Sequence, residues 1–160
     1  MAISTIGANS LAQSRILTAV QQPAGAVLQV VNAKATATTT SSSTSAVNLT
    51  GMSTNITVSA GSSILALTTA GIYGSGNGSS WSSTGRIWLY RGATVLSSSE
   101  HMGVITSLEQ TYTHSIMYLD QSLSAGTYTY TVKGSSTTGG SLSFNRDAYM
   151  GNLILMEIAG

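Results

Sequence analysis

The chain has 160 residues, enough for one domain with its own core, and its 27 serines, 22 threonines and 17 glycines leave only 7% charged residues. Six Lys+Arg against five Asp+Glu give a net charge of +1, so there is no basic field for nucleic acid and no acidic or basic tail. The absence of cysteine excludes disulfides, thiol nucleophiles and Cys-ligated zinc.

A hydrophobic fraction of 42% argues against disorder. The apolar residues come in short packets such as Leu153 to Met156, whereas a membrane helix needs about 20 in a row. Met1-Ala2-Ile3-Ser4-Thr5-Ile6 lacks the cationic start and apolar core of a signal peptide, so a soluble chain without a visible address is expected. A hydroxyl-rich surface with net charge near zero favours association, which points to a protein that works inside an assembly.

Residues 1–25 differ from the rest. Asn9 and Ser10 can cap a short helix running to Gln22, which Pro23 and Gly25 would stop. Ile3, Ile6, Leu11, Ile16 and Leu17 are many apolar side chains for a solvated tail, so the segment reads as an arm that orders on a partner. From residue 26 to 160 the chain reads as β. Ala26 to Ala33 is a β-branched run, and Lys34 to Ser45 suits an exposed edge or an extended loop. Ala46 to Leu49 and Asn55 to Val58 are expected as short strands separated by Gly51-Met52-Ser53. Ile64 to Tyr73 follows the Gly61 turn. Arg86 to Arg91 and Thr94 to Leu96 form a hairpin about Gly92-Ala93. Met102 to Leu108 and Tyr112 to Leu119 come next.

Thr127 to Lys133 alternates cleanly, with Tyr128, Tyr130 and Val132 on one face and threonines and Lys133 on the other, as in a half-buried strand. Gly139-Gly140 turns into Leu142 to Asn145. Asn152 to Ile158 is apolar on both faces and is expected to be buried on both. Since alternate side chains point opposite ways, one set from Leu153, Ile154, Leu155, Met156 and Ile158 should pack the body and the other a seam between subunits. About ten short strands with turn residues between them give an all-β fold, a jelly-roll-like antiparallel β-sandwich behind a short N-terminal arm.

Candidates for chemistry are few. His101 and His114 have no HExxH or DxDxDG spacing around them, and no metal site is expected. His114 shares a strand face with Tyr112, Ile116 and Tyr118, where a hydrogen-bonded core or interface role is the ordinary one. There is no GxSxG elbow. The five carboxylates form no cluster, and solvation or pairing with arginine is their default. No cofactor is implied, and the chain does not read as an enzyme. Gly74 to Thr84 reads as a loop without the Lys-Ser/Thr of a phosphate cradle. Within it Trp81, flanked by Asn77 and Ser79, is the best candidate for a glycan contact. Trp88 and Tyr90 lie opposite Ile87 and Leu89 on their strand, so one of these two faces must pack the sandwich.

The order of segments resembles a module common among tailed-bacteriophage virion proteins, including those of cyanophages. The resemblance is carried by Ala26-Val27-Leu28-Gln29-Val30-Val31, Asn55-Ile56-Thr57-Val58, Ser62-Ser63-Ile64-Leu65-Ala66-Leu67, Leu89-Tyr90-Arg91-Gly92-Ala93-Thr94, Tyr118-Leu119-Asp120, Gly126 to Val132, and the closing Leu153-Ile154-Leu155-Met156-Glu157-Ile158-Ala159-Gly160. It covers about residues 25 to 160. In that family the module forms the outer part of tail fibres, head fibres and capsid-decorating proteins. The resemblance implies a compact homotrimeric β-sandwich or jelly roll and no catalytic residues. About 25 residues ahead of it are too few for a fibre shaft and enough for a tether. The expectation is therefore a capsid decoration, or cement, protein. It would be made in the host cytoplasm and bound to the major capsid protein on the outer surface of the virion, with no nucleic acid or membrane partner. A fibre tip that recognises host surface glycan is the alternative.

Overall fold

In the computed structural model the described residues are 23–74, 84–101, 110–137, 139–146 and 150–160. They form ten strands: β1 (Val27–Lys34), β2 (Thr39–Ser41), β3 (Val47–Val58), β4 (Ser63–Gly74), β5 (Gly85–Arg91), β6 (Thr94–His101), β7 (Gln110–Asp120), β8 (Gly126–Ser136), β9 (Leu142–Phe144) and β10 (Asn152–Ile158). The expected strand at Met102 to Leu108 and the expected helix ahead of Pro23 lie outside the described residues.

The strands make two antiparallel sheets. In the first, β4 pairs with β7 over its whole described length, from Ile64 opposite Asp120 to Gly74 opposite Gln110. Along its other side β4 meets β10 over Ser63 to Thr69 and β9 over Ile72 to Gly74. β9 and β10 are therefore two parts of one line. β1 pairs with β10 and β2 with β9, so β1 and β2 form a second such line. The second sheet runs β3-β8-β5-β6. If the eight lines are numbered along the chain, a sheet ordered 1-8-3-6 faces one ordered 2-7-4-5. That is the strand order of a jelly roll, in which four antiparallel pairs are rolled into two layers.

The layers close on alternate side chains. Leu49, Met52, Ile56, Ile87, Leu89, Tyr130 and Val132 come from the second sheet, and Ile64, Ala66, Ile72, Leu142, Phe144, Leu153 and Leu155 from the first. Period-2 alternation puts these residues on one face of each strand and leaves the intervening ones outside. On β5 the packed pair is Ile87 and Leu89, while Trp88 and Tyr90 stand on the outer face. Gly92-Ala93 makes the β5–β6 turn, with Gly92 at φ +56°, a conformation that suits glycine.

Two expectations need correction. The strands expected at Ala46 to Leu49 and Asn55 to Val58 are parts of one strand, β3, which begins at Val47 and has an irregular bulge between Asn48 and Ser53. Gly51, at φ +83°, takes the kink, and β8 runs on alongside, so a local turn signal bends the strand without ending it. The last strand is also not buried on both faces within the chain. Leu153 and Leu155 are fully inside, whereas Ile154, Met156 and Ile158 are half-buried on the outer face. A two-layer sandwich covers only one face of each sheet.

Candidate assembly surface

The outer face of the first sheet carries two largely apolar rows that cross all four lines. Register places Val30, Met156, Leu65 and Leu119 in one cross-strand row. The next row is Asn32, Ile154, Leu67 and Met117, and Val27 stands beside Ile158 beyond the first. The side chains at the two margins are the most open: Val27 is 53% and Val30 56% exposed on β1, and Met117 75% and Leu119 46% on β7. The third row is polar and holds Lys34, Asn152, Thr69 and Ser115. Between the second and third rows lies a shallow hollow of about 260 Å³, lined by Leu67, Thr69, Ser115, Met117, Asn152 and Ile154 among others.

The outer face of the second sheet is chemically different. Thr57 and Thr127 hydroxyls lie 2.7 Å apart, and Thr129 donates to Asn55 Oδ1 at 2.7 Å. The Arg86 guanidinium lies 4.8 Å from the centre of the Trp88 ring, and the Lys133 ammonium 4.2 Å from that of Tyr90. Trp88 Nε1 donates to Ser135, and Arg86 pairs with Glu100. Here aromatic rings, cations and hydroxyls satisfy one another. The first sheet's two apolar rows have no such groups. On that sheet they begin only at Lys34, Thr69 and Ser115, and recur where Arg146 lies 4.0 Å from the centre of the Tyr73 ring. An open apolar patch of this kind marks a site for association.

The buried carboxylates, Asp120 and Glu157, are already committed. Arg91 Nη1 donates to both carboxylate oxygens of Asp120 at 2.8 Å, and Tyr130 Oη donates to Asp120 Oδ2 at 2.7 Å. Burial, reinforced by that hydrogen bond, pushes the Tyr130 phenol well above its usual range. The default of solvation or arginine pairing fails for Glu157. It is 2% exposed and accepts from Gln29 Nε2 at 2.6 Å and from the Ser59 N–H at 2.8 Å. The fold brings these partners to it from β1 and from the end of β3. His114 is half-buried, with Nδ1 3.3 Å from Ser99 Oγ. Among the described residues no group of three His, Asp or Glu stands close enough to hold a metal ion, and no helix is long and apolar enough to cross a membrane.

Of the residues singled out in the sequence, Leu153 and Leu155 pack the body, and Ile154, Met156 and Ile158 join the open face. The arm residues Ile3, Ile6, Leu11, Ile16 and Leu17 and the glycan candidates Trp81, Asn77 and Ser79 lie outside the described residues. Sequence reasoning missed Val27, Val30, Leu65, Leu67, Met117 and Leu119. The signal was there: Ile64-Leu65-Ala66-Leu67 is apolar at both parities, as the last strand is.

No protein-family model matches the chain, and no curated protein does. Among solved structures it is similar to the infectious bursal disease virus VP2 subviral particle, at 14% identity over 82% of this chain and 38% of that one, with a TM-score of 0.38. It is likewise similar to infectious bursal disease virus Gx strain, at 14% identity over 82% of this chain and 37% of that one, with a TM-score of 0.33. The chain thus spans well under half the length of either.

Proposed function

We propose that this chain is a structural component of a tailed-phage virion, a decoration protein that stands as a homotrimer on the outer capsid surface and strengthens contacts between major capsid subunits. The observation that carries the reading is the pair of uncharged, largely apolar rows on the outer face of a jelly-roll sandwich. A free monomer gains nothing from such a face, whereas an assembly protein buries it. The order of segments resembling phage virion modules supplies the setting. Residues 1 to 25 act as the tether to the capsid. Contacts made by apolar area and hydroxyls depend little on salt, unlike charge-led docking.

Copy number on purified particles tests this. Hundreds of copies per virion are expected. A few tens at most would overturn the decoration role in favour of a fibre tip that binds host glycan. Removing residues 1–22 should leave a folded oligomer that no longer binds capsids, and undiminished binding would remove the tether role.

A further inference from the structure

We infer that three copies bring the outer faces of their first sheets together around the threefold axis, so that the β1 margin of one copy packs against the β7 margin of the next. The inference rests on the homotrimer proposed above and says how it is built.

Symmetry narrows the choice. A twofold dimer packs a patch on its own copy, whereas a ring of three needs two different patches, one for each neighbour. Among the described residues the exposed large apolar side chains off this face are Val95, opposite Tyr90 on the second sheet, and Met150. The second sheet offers threonines, Asn55 and Lys133 instead. The two patches must therefore be the two halves of the same face. Its open margins, Val27 and Val30 on β1 and Met117 and Leu119 on β7, lie at opposite edges with half-buried side chains between them.

Size and charge agree with this. Four lines at about 4.8 Å spacing and three levels of side chains about 6.7 Å apart cover roughly 400 Å². That is as large as the biggest apolar patch on an ordinary monomer. Divided between the two neighbours, it gives each seam roughly 200 Å² of apolar core, to be completed by the polar rim of a standard interface of about 800 Å² per partner. The two apolar rows hold no charged side chain, so closing the ring buries no unpaired ion. Lys34, Asn152, Thr69 and Ser115 supply a polar rim on one side. Val30 and Leu119 share a row, so rotation about an axis along the strands brings Val30 of one copy level with Leu119 of the next.

The chain has no cysteine of its own, so engineered thiols report cleanly. In the full-length Val30→Cys/Leu119→Cys variant a short bismaleimide should produce covalent dimers and a closed covalent trimer. Each single variant should stay monomeric under denaturing conditions. Dimers from Val30→Cys alone would show the face packed on itself and overturn the ring. A protein that sediments as a trimer but yields no cross-link in the double variant would overturn this arrangement and leave the trimer standing. A chain that sediments as a monomer would overturn the trimer itself. Efficient cross-linking within one chain of Leu11→Cys/Leu119→Cys would seat residues 1–22 on the face and equally overturn the inference.

Discussion

Glu157 and Asp120 lie in one cross-strand row of the inner face, on either side of Ile64. Both carboxylates are buried at the same end of the sandwich, and each binds to the opposite sheet. Glu157 reaches the Ser59 N–H beyond β3, and Asp120 reaches Arg91 on β5 and Tyr130 on β8. The apolar core therefore ends in two polar clamps that fix how the layers stack.

The Glu157 clamp makes stability fall in acid. Burial acts to raise its pKa, but hydrogen bonds from Gln29, the Ser59 N–H and the Ser62 and Ser59 hydroxyls outweigh burial, and the net effect is a value below the ordinary 4.5. The unfolded chain then takes up the proton at higher pH than the folded one. The contribution is complete above the ordinary glutamate range and is lost as pH falls through the lowered folded value. Glu157→Gln would set an amide N–H₂ against the Gln29 donor and should cost about 1.5–3 kcal/mol at neutral pH. Thermal melts across the acid range should show a shallower loss in the variant, and parallel acid limbs would contradict the assignment.

Arg91→Met would leave Asp120 buried with only the Tyr130 hydroxyl as donor. The Arg91 side chain is 29% exposed, so water screens part of the loss, and about 2–3 kcal/mol is expected. Tyr130→Phe removes one donor and leaves Arg91 in place, for about 1–2 kcal/mol. Urea unfolding of the two single variants and the double tests the coupling: the two losses should fail to add, because both act through one carboxylate.

Gly134 on β8 lies against the Phe144 ring. A Cβ added there would stand 2.7 to 2.9 Å from three ring carbons. Phe144 is the chain's only phenylalanine and is fully buried, so the ring has nowhere to go. Gly134→Ala should destabilise by about 1–3 kcal/mol through overpacking. Phe144→Leu opens room at the same point, so the double variant should lose less than the two single losses together, as read from urea midpoints. Strict additivity would mean that the ring does not set the limit at Gly134.

What the sequence revealed follows from the range of each interaction. Thr127 to Lys133 was legible because alternation is a property of neighbours in the chain. The Gly51 kink was misread because only the continuous partner β8 keeps β3 whole. The Glu157 clamp was invisible because Gln29 and Ser59 lie 128 and 98 residues away along the chain. The open face was half legible. Ile154, Met156 and Ile158 stood out in the last strand, but Leu65 and Leu67 read as ordinary core, since nothing local says that a second layer covers only one side of a sheet.

Met117→Lys separates folding from association. Met117 is 75% exposed in the single chain, so the folded monomer should lose no more than about 0.5 kcal/mol and its melting temperature should barely move. At a closed seam the same ammonium would be buried without a partner, a penalty of several kcal/mol. Sedimentation at micromolar concentration should therefore show the wild-type chain as a trimer and the variant as a monomer. Raising salt should leave the wild-type trimer intact, because the contact is apolar and screening has little to act on. A Met117→Lys chain that still forms trimers would place the seam elsewhere and leave this face for the capsid. A trimer that dissociates with salt would mean that charge, not the apolar rows, holds the copies together.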